Sequence, residues 1–480
     1  MFPILIFAFF LRIYRLPELL GFWYDQGRDA LVIWDFIQNG KFFLIGPMMG
    51  NTGIFRGPWY YYLISPFYVI GNGNPLYPSI FLVLLSVIAI YVLYKVALEF
   101  GDKKVAVVSS LLASISMYII GSSRWLSNPT PTLLIGILVI WGVLQFLNKK
   151  WWSLPLLSFL VGMGLNFGAA TEIYFIPALL FIFYLNKKIL PNKKILLASM
   201  FIFIFCFLPQ ILFEIRHDGI MSKALYNFVV NEKTFTLNFL EILFKRINIY
   251  YNLLYSKFWL ESWLLFLPFF TIFIYKLVLN WKEFIKNKKI QSLIIIFLSP
   301  FIGTLFFVSN LGGFYDYYFT AYYLIFILFF VVTLSYKSNN FWIYLLLIVS
   351  IFNNIPNYLK EYNINLDSGK LIAFENQIKA IDYIYKNSDN SEFNIDVYVP
   401  PVVPYAYDYL FLWQSKIKND SRMVKDRELE NLYTLYEVDI DHPERLEKWL
   451  ERQEKIGKIL KEVWFGGIVV QQRERYAQEF

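Results

Sequence analysis

Cysteine and histidine are almost missing from this chain of 480 residues: one Cys, at 206, and two His, at 217 and 442. A single cysteine excludes an intrachain disulfide and leaves the redox compartment open. Two histidines exclude a histidine-rich metal centre, so any bound cation would need mostly oxygen ligands. Charge is scarce as well. Asp, Glu, Lys and Arg make up 17% of the chain, where a soluble globular protein carries about a quarter. There is no Walker loop, GxGxxG, HExxH or nucleophile elbow, which removes support for soluble nucleotide chemistry and hydrolase mechanisms. No internal repeat and no low-complexity tail stand out.

What is present is apolar: 57% hydrophobic and 20% aromatic residues. The net charge of +8 does not gather on one stripe. It falls in short clusters between apolar runs, which argues for membrane loops and against nucleic-acid binding. The N-terminal MFPILIFAFFLRIYRLPE has no basic n-region, and no small-residue cleavage site follows it, so it is taken as a retained span. Its apolar stretch before Arg12 falls short of the ~20 residues a span needs, which places the expected natural start upstream of Met1.

Further spans are expected at about 76–98, 105–120, 129–147, 151–167, 173–185, 195–213, 259–275, 290–308, 317–336 and 341–358. The fold class is thus a polytopic α-helical membrane protein of about eleven transmembrane helices. Asp102-Lys103-Lys104, Asn148-Lys149-Lys150, 186–194, 282–289 and Lys337 all fall on one side if the spans alternate, and that side is the cytoplasm. The opposite face receives 17–75, 122–128, 213–258, 309–317 and everything after about 359. Within 17–75, Arg28–Gln38 is expected as an amphipathic helix on the membrane, with Leu31, Ile33, Trp34 and Ile37 on its apolar side. The aromatic segment 57–71 is taken as interfacial or re-entrant, because a full crossing there would scatter the basic loops. Residues 1–360 form the transmembrane part. From 365 to 480 the composition is that of a small exoplasmic α/β domain: helices at 374–387, 405–417 and 443–457, strands at 393–400, 432–439 and 461–473.

The first exoplasmic loop carries Asp25-Gln26-Gly27-Arg28-Asp29 among aromatics. Glu18, Asp35 and Lys41 are taken as solvated loop charges. Asp25 follows Trp23-Tyr24 at the membrane surface, where partial desolvation makes a carboxylate a better base. Asp29, beside Arg28 at the expected helix start, is better suited to orienting that arginine or capping the helix. Arg28, Arg56, Arg124 and Arg216 all fall on the exoplasmic side, as residues that bind phosphate bidentately would. Further site candidates are Tyr24, Tyr60, Tyr61, Asn128, His217, Asp218 and Asp316.

These residues resemble the polytopic glycosyltransferases of the GT-C class. That class contains the dolichyl-phosphate-mannose–protein mannosyltransferases, bacterial lipid-A aminoarabinose transferase and bacterial relatives with a D-Q-G-R-D first loop. The resemblance rests on Tyr24-Asp25, the G-P-x-Y-Y-Y-L helix after Arg56, S-R-x-x-x-N-P at 123–129 and F-E-I-R-H-D at 213–218. It implies transfer of a sugar from a polyprenyl phosphate to a protein, glycan or lipid acceptor at the exoplasmic face of the cell membrane, with inversion. Asp25 is then the general base, and Arg56 and Arg216 hold the donor phosphate. Several relatives carry an acid where Asn128 stands here, so no metal and no cofactor is expected. The competing readings are a transporter or flippase for a lipid-linked glycan, which would place ionisable groups mid-membrane, and a scaffold of the cell envelope.

Overall fold

The computed structural model describes residues 1–49, 53–168, 171–227, 230, 239–258, 263–306, 315–400 and 403–476. Parts of the expected link 309–317 and of the loops at 17–75 and 213–258 lie outside them.

Helix dominates. The N-terminal helix is α1 (Phe2–Ile13), and the loop region after it holds α2 (Leu16–Leu19), α3 (Tyr24–Asn39) and α4 (Trp59–Ile70). The apolar bundle follows with α5 (Leu76–Ala97), α6 (Lys103–Ile115), α7 (Met117–Arg124), α8 (Thr132–Leu147), α9 (Ser153–Phe167), α10 (Phe175–Leu185), α11 (Lys193–Phe205) and α12 (Leu208–Arg216). It continues through α13 (Ile220–Tyr226), α14 (Phe239–Phe258), α15 (Trp263–Leu279), α16 (Trp281–Lys286), α17 (Lys288–Phe306), α18 (Tyr323–Ser335) and α19 (Phe341–Tyr362). The stretches expected to cross from 76 onward are helical or bent helix pairs, apart from residues 259–262 and 307–308 of two of them, which lie outside the described residues.

Among the described residues, four helices are long and apolar enough to cross a membrane, and up to seven if each bent pair counts as one span. The bends have local causes. α6 and α7 meet at 62° where Ser116 caps the backbone N–H of Ile119. α11 and α12 meet at 55° where Pro209 opens α12. Helices such as α8 and α9 are apolar but shorter. Asp316–Ser335 is apolar all round and almost wholly surrounded by protein, as a central helix must be. α4 has 12 residues, as short as α1, so its length does not separate an interfacial helix from a crossing.

The trailing part forms α20 (Phe374–Asn387), β1 (Asn394–Tyr398), α21 (Tyr405–Lys418), β2 (Asn431–Glu437), α22 (Pro443–Glu454), β3 (Gly457–Phe465) and β4 (Ile468–Arg475). The sheet order is β1-β2-β4-β3. β1 and β2 are parallel with α21 as their crossover; the other pairs are antiparallel. The single strand expected at 461–473 is in fact a hairpin, β3 and β4, turning at Gly466-Gly467. A Gly-Gly between two apolar runs is a hairpin signal in its own right.

This α/β layer sits on the first loop. Phe374 N–H donates to the Leu20 carbonyl (3.1 Å), Gln377 Nε2 to the Phe22 carbonyl (2.9 Å) and Trp413 Nε1 to the Asn72 carbonyl (2.8 Å). α3 and α21 approach through Gly27, where a Cβ would lie 2.3 Å from the Ala406 backbone nitrogen. The helix expected at Arg28–Gln38 therefore begins four residues earlier, at Tyr24. Its buried face is Gln26, Gly27, Asp29, Ala30 and Ile33, packed against α21 and α4 rather than laid out along its four apolar residues. Glycine in that stretch serves close helix packing, not a turn.

Candidate active site

α3 begins after an extended Trp23, whose backbone N–H donates to Gln26 Oε1 (3.2 Å); Gln26 Nε2 in turn reaches the Leu126 carbonyl (3.3 Å). These bonds fix the first turn of the helix, and Asp25 lies in it, where the helix dipole favours a negative charge. Its side chain is 57% exposed. So it is Asp25, not Asp29, that occupies the first turn, and Asp29 that is desolvated.

Asp29 is one turn further on and buried. Three donors converge on its Oδ1: Arg28 Nε (3.0 Å), Arg28 Nη2 (2.8 Å) and the Tyr61 hydroxyl from α4 (2.8 Å). The other side of the guanidinium, Nη1, is 2.9 Å from Asp25 Oδ1. Arg28 is thus a bridge between a buried and an exposed carboxylate. Burial pushes the Asp29 carboxyl up to about 6, with Arg28 and Tyr61 pulling the other way. Burial also works against the Arg28 charge, but Asp29 outweighs it and holds the guanidinium above its ordinary value. The Tyr24 ring lies under Arg28 (5.9 Å) and packs on Tyr405 (4.9 Å). Tyr60 is buried beside Tyr61.

Arg56 leaves a short antiparallel turn: its N–H donates to the Pro47 carbonyl (3.0 Å), and Gly46 N–H donates to its carbonyl (2.8 Å). Its Nη1 faces the Phe167 carbonyl at the end of α9 (3.5 Å), and Asn128 Nδ2 donates to the same carbonyl (2.6 Å). Burial lowers the Arg56 pKa, against the charges of Glu172 and Asp29. Glu172 is buried over Gly168, where a Cβ would stand 1.9 Å from its carboxyl carbon, so a larger residue there would displace the carboxylate. Tyr317 and Tyr318 also lie in the field of Arg56, Tyr317 packed edge-on against Trp125 (5.3 Å). Glu172, Tyr317 and Tyr318 were not singled out from the sequence as site residues. The acid at the end of an apolar run, A-A-T-E-I-Y, was the signal for the first.

The remaining candidates stand apart. Arg124 is committed elsewhere: it donates to the Arg12 carbonyl (3.0 Å), the Leu11 carbonyl (2.7 Å) and the Tyr362 hydroxyl (3.1 Å), and pairs with Glu361. It locks α1, α7 and α19 together and does not join the cluster. Asp316 forms an ion pair with the buried Lys257 (2.8 Å) and accepts from the Tyr323 hydroxyl (2.6 Å). Arg216, His217 and Asp218 are exposed at the end of α12, with the His217 ring stacked on Phe213 (4.1 Å). α12 still touches the site, because Gln210 Nε2 donates to the Phe55 carbonyl (3.2 Å). No group of three or more His, Cys, Asp or Glu able to hold a metal occurs among the described residues.

The chain is thus a helical bundle with acidic and arginine-bearing residues in the loop after its first helix, overlaid by a trailing α/β layer. The sequence profile of the dolichyl-phosphate-mannose-protein mannosyltransferase family matches residues 56–213. The fold is similar to that of ArnT from Cupriavidus metallidurans bound to undecaprenyl phosphate, at 11% identity and a TM-score of 0.59, over 98% of this chain and 97% of that one. The apo form of the same protein superposes at a TM-score of 0.57, again at 11% identity, over 98% and 96%. No curated protein sequence matches the chain. The resemblance stated from the sequence is borne out by the family match and the fold, and the family match begins after the D-Q-G-R-D loop.

Proposed function

We propose that this protein is an integral membrane glycosyltransferase of eleven crossings that moves a sugar from a polyprenyl-phosphate donor to an acceptor on the exoplasmic face of the cell membrane, with inversion. The observation that carries the reading is the Asp25–Arg28–Asp29 relay. An exposed carboxylate is held in place by an arginine whose other edge is gripped by a buried one. Asp25 is open to an incoming hydroxyl, whereas Asp29 Oδ1 already accepts three donors. In the proposed reaction Asp25 takes the proton of the acceptor hydroxyl, whose oxygen attacks the anomeric carbon opposite the phosphate. The bond from that carbon to the phosphate oxygen breaks, and the lipid phosphate leaves with the electron pair.

Arg56 is the proposed stabiliser of the leaving phosphate. It sits in a partly dry setting, where charge stabilisation is worth more than in water. Asn128 holds the same end of α9, and Arg216 at the end of α12 is the second arginine for the lipid phosphate. Arg28 is assigned to positioning Asp25. The profile match and the likeness to a protein holding undecaprenyl phosphate both support a polyprenyl-linked donor. Mass spectrometry of envelope glycans from a deletion strain tests the reading. Loss of one defined sugar with its lipid-linked donor accumulating on the exoplasmic side is expected; the same loss with the donor trapped on the cytoplasmic side would point to a flippase instead.

A further inference from the structure

A cavity of about 300 Å³ lies between the start of α3 and the C-terminal layer, with Trp23 and Tyr24 on one side and Pro400, Pro404 and Glu437 on the other. Tyr24 is the residue before Asp25. Pro404 also lines a second, larger and more open cleft of about 870 Å³, which runs along β1 past Asp396, Asp408 and Arg452. β1 is an edge strand, paired only with β2 in its sheet. The two spaces therefore flank one proline, and the inner one is lined by Tyr24 in the first turn of α3, the turn that also carries Asp25.

We infer that the inner cavity is the acceptor subsite, and that it takes the terminal sugar ring of a glycan acceptor, with the preceding units lying in the cleft along β1. This rests on the reading of Asp25 as the base, and names the acceptor class that reading leaves open. The lining decides the class. Flat apolar faces from an indole, a phenol ring and two prolines suit the C–H faces of a pyranose, and the indole of Trp23 is half exposed to receive one. A single carboxylate, Glu437, is buried at 5% exposure and held by the Tyr407 hydroxyl (2.9 Å) and the Gln377 side chain, with lone pairs on its two oxygens left to accept a sugar hydroxyl. A lipid chain would seal that carboxylate against hydrocarbon with no compensating bond. The volume is at the small end of the ~300–1,000 Å³ usual for ligand sites, room for one ring. A carboxyl that burial pushes up to about 7 fits a group kept for a ligand rather than for the fold.

The test is saturation-transfer NMR on the full-length protein in nanodiscs without donor, using methyl α-mannopyranoside, methyl α-glucopyranoside and N-acetyl-serine amide as probes. Saturation should reach the ring protons of at least one hexoside, and not the serine amide. Glu437→Gln and Trp23→Ala should each weaken hexoside binding by roughly five-fold, the effect of one hydrogen bond or one stacking face. Trp23→Ala alters a half-exposed side chain, so it decides the matter if Glu437→Gln fails to fold. Sugar transfer retained in Asp25→Asn, measured separately with donor present, removes Asp25 as the base, while loss of hexoside binding in the two subsite variants keeps the subsite. No saturation of either hexoside, equal binding in both subsite variants, or saturation of the serine amide alone overturns the subsite, whatever the fate of Asp25.

Discussion

Tyr61 donates its hydroxyl to Asp29 Oδ1 at 2.8 Å, and so pins α4 to the same carboxylate oxygen that grips Arg28. With its carboxyl at about 6, Asp29 takes up a proton as the pH falls through that value and loosens its hold on Arg28. The transfer rate of the wild type should therefore fall as pH drops through about 6. Asp29→Asn mimics the protonated state: its rate should be lower throughout and lack that inflection. A pH–rate profile of the two proteins checks it, and an unshifted inflection in Asp29→Asn would assign the titration elsewhere.

Glu437 gives a stability prediction of definite sign. Burial raises its carboxyl from 4.5 to about 7. A raised acid stabilises the folded state fully below about 4.5, and that contribution is lost as pH rises through about 7, an effect of about 3 kcal/mol. Wild-type protein should melt at a lower temperature at pH 8 than at pH 5, other groups aside. In Glu437→Gln the gap between the two pH values should shrink. Thermal unfolding at both, in the same detergent, measures it.

Gly27→Ala should drive α3 and α21 apart, because the new methyl has backbone rather than a movable side chain in its way. Overpacking of this kind costs about 1–3 kcal/mol. Limited proteolysis should cut the link between α19 and α20 faster in this variant than in the wild type. An equal cutting rate would mean that the layer is not held through α3.

The basic loops predict a cytoplasmic N-terminus and a C-terminal layer outside. A reporter that works only in the cytoplasm, fused after Phe480, should stay silent, and one that works only outside should be active.

Much of this arrangement is legible in the residues, and the failures have a common cause. α20 spans 374–387, where helical periodicity alone put it, and the strand expected at 432–439 is β2 at 431–437. Those segments answer to local pattern. The start of α3 does not: Gly27 packs on a helix nearly four hundred residues away in sequence and Asp29 on Tyr61 of α4, and no local rule shows either contact. Nor can the sequence tell an arginine open to a ligand, such as Arg216, from Arg124, whose donors are taken by backbone carbonyls of α1. Glu172 was visible as an acid at a span end, but its place beside Arg56 depends on α9 and the turn at 46–56 meeting in space.

The most direct test of the account is single-turnover sugar transfer, with donor affinity measured in parallel, for Asp25→Asn and Asp29→Asn. Loss of a general base typically costs ~10²–10⁴ in rate. Asp25→Asn should lose transfer on that scale while binding the polyprenyl-phosphate donor nearly as well as the wild type, and Asp29→Asn should lose more in stability or donor affinity than in chemistry. Near-normal turnover by Asp25→Asn, with transfer abolished in a well-folded Asp29→Asn, would contradict the account and make the buried aspartate the base.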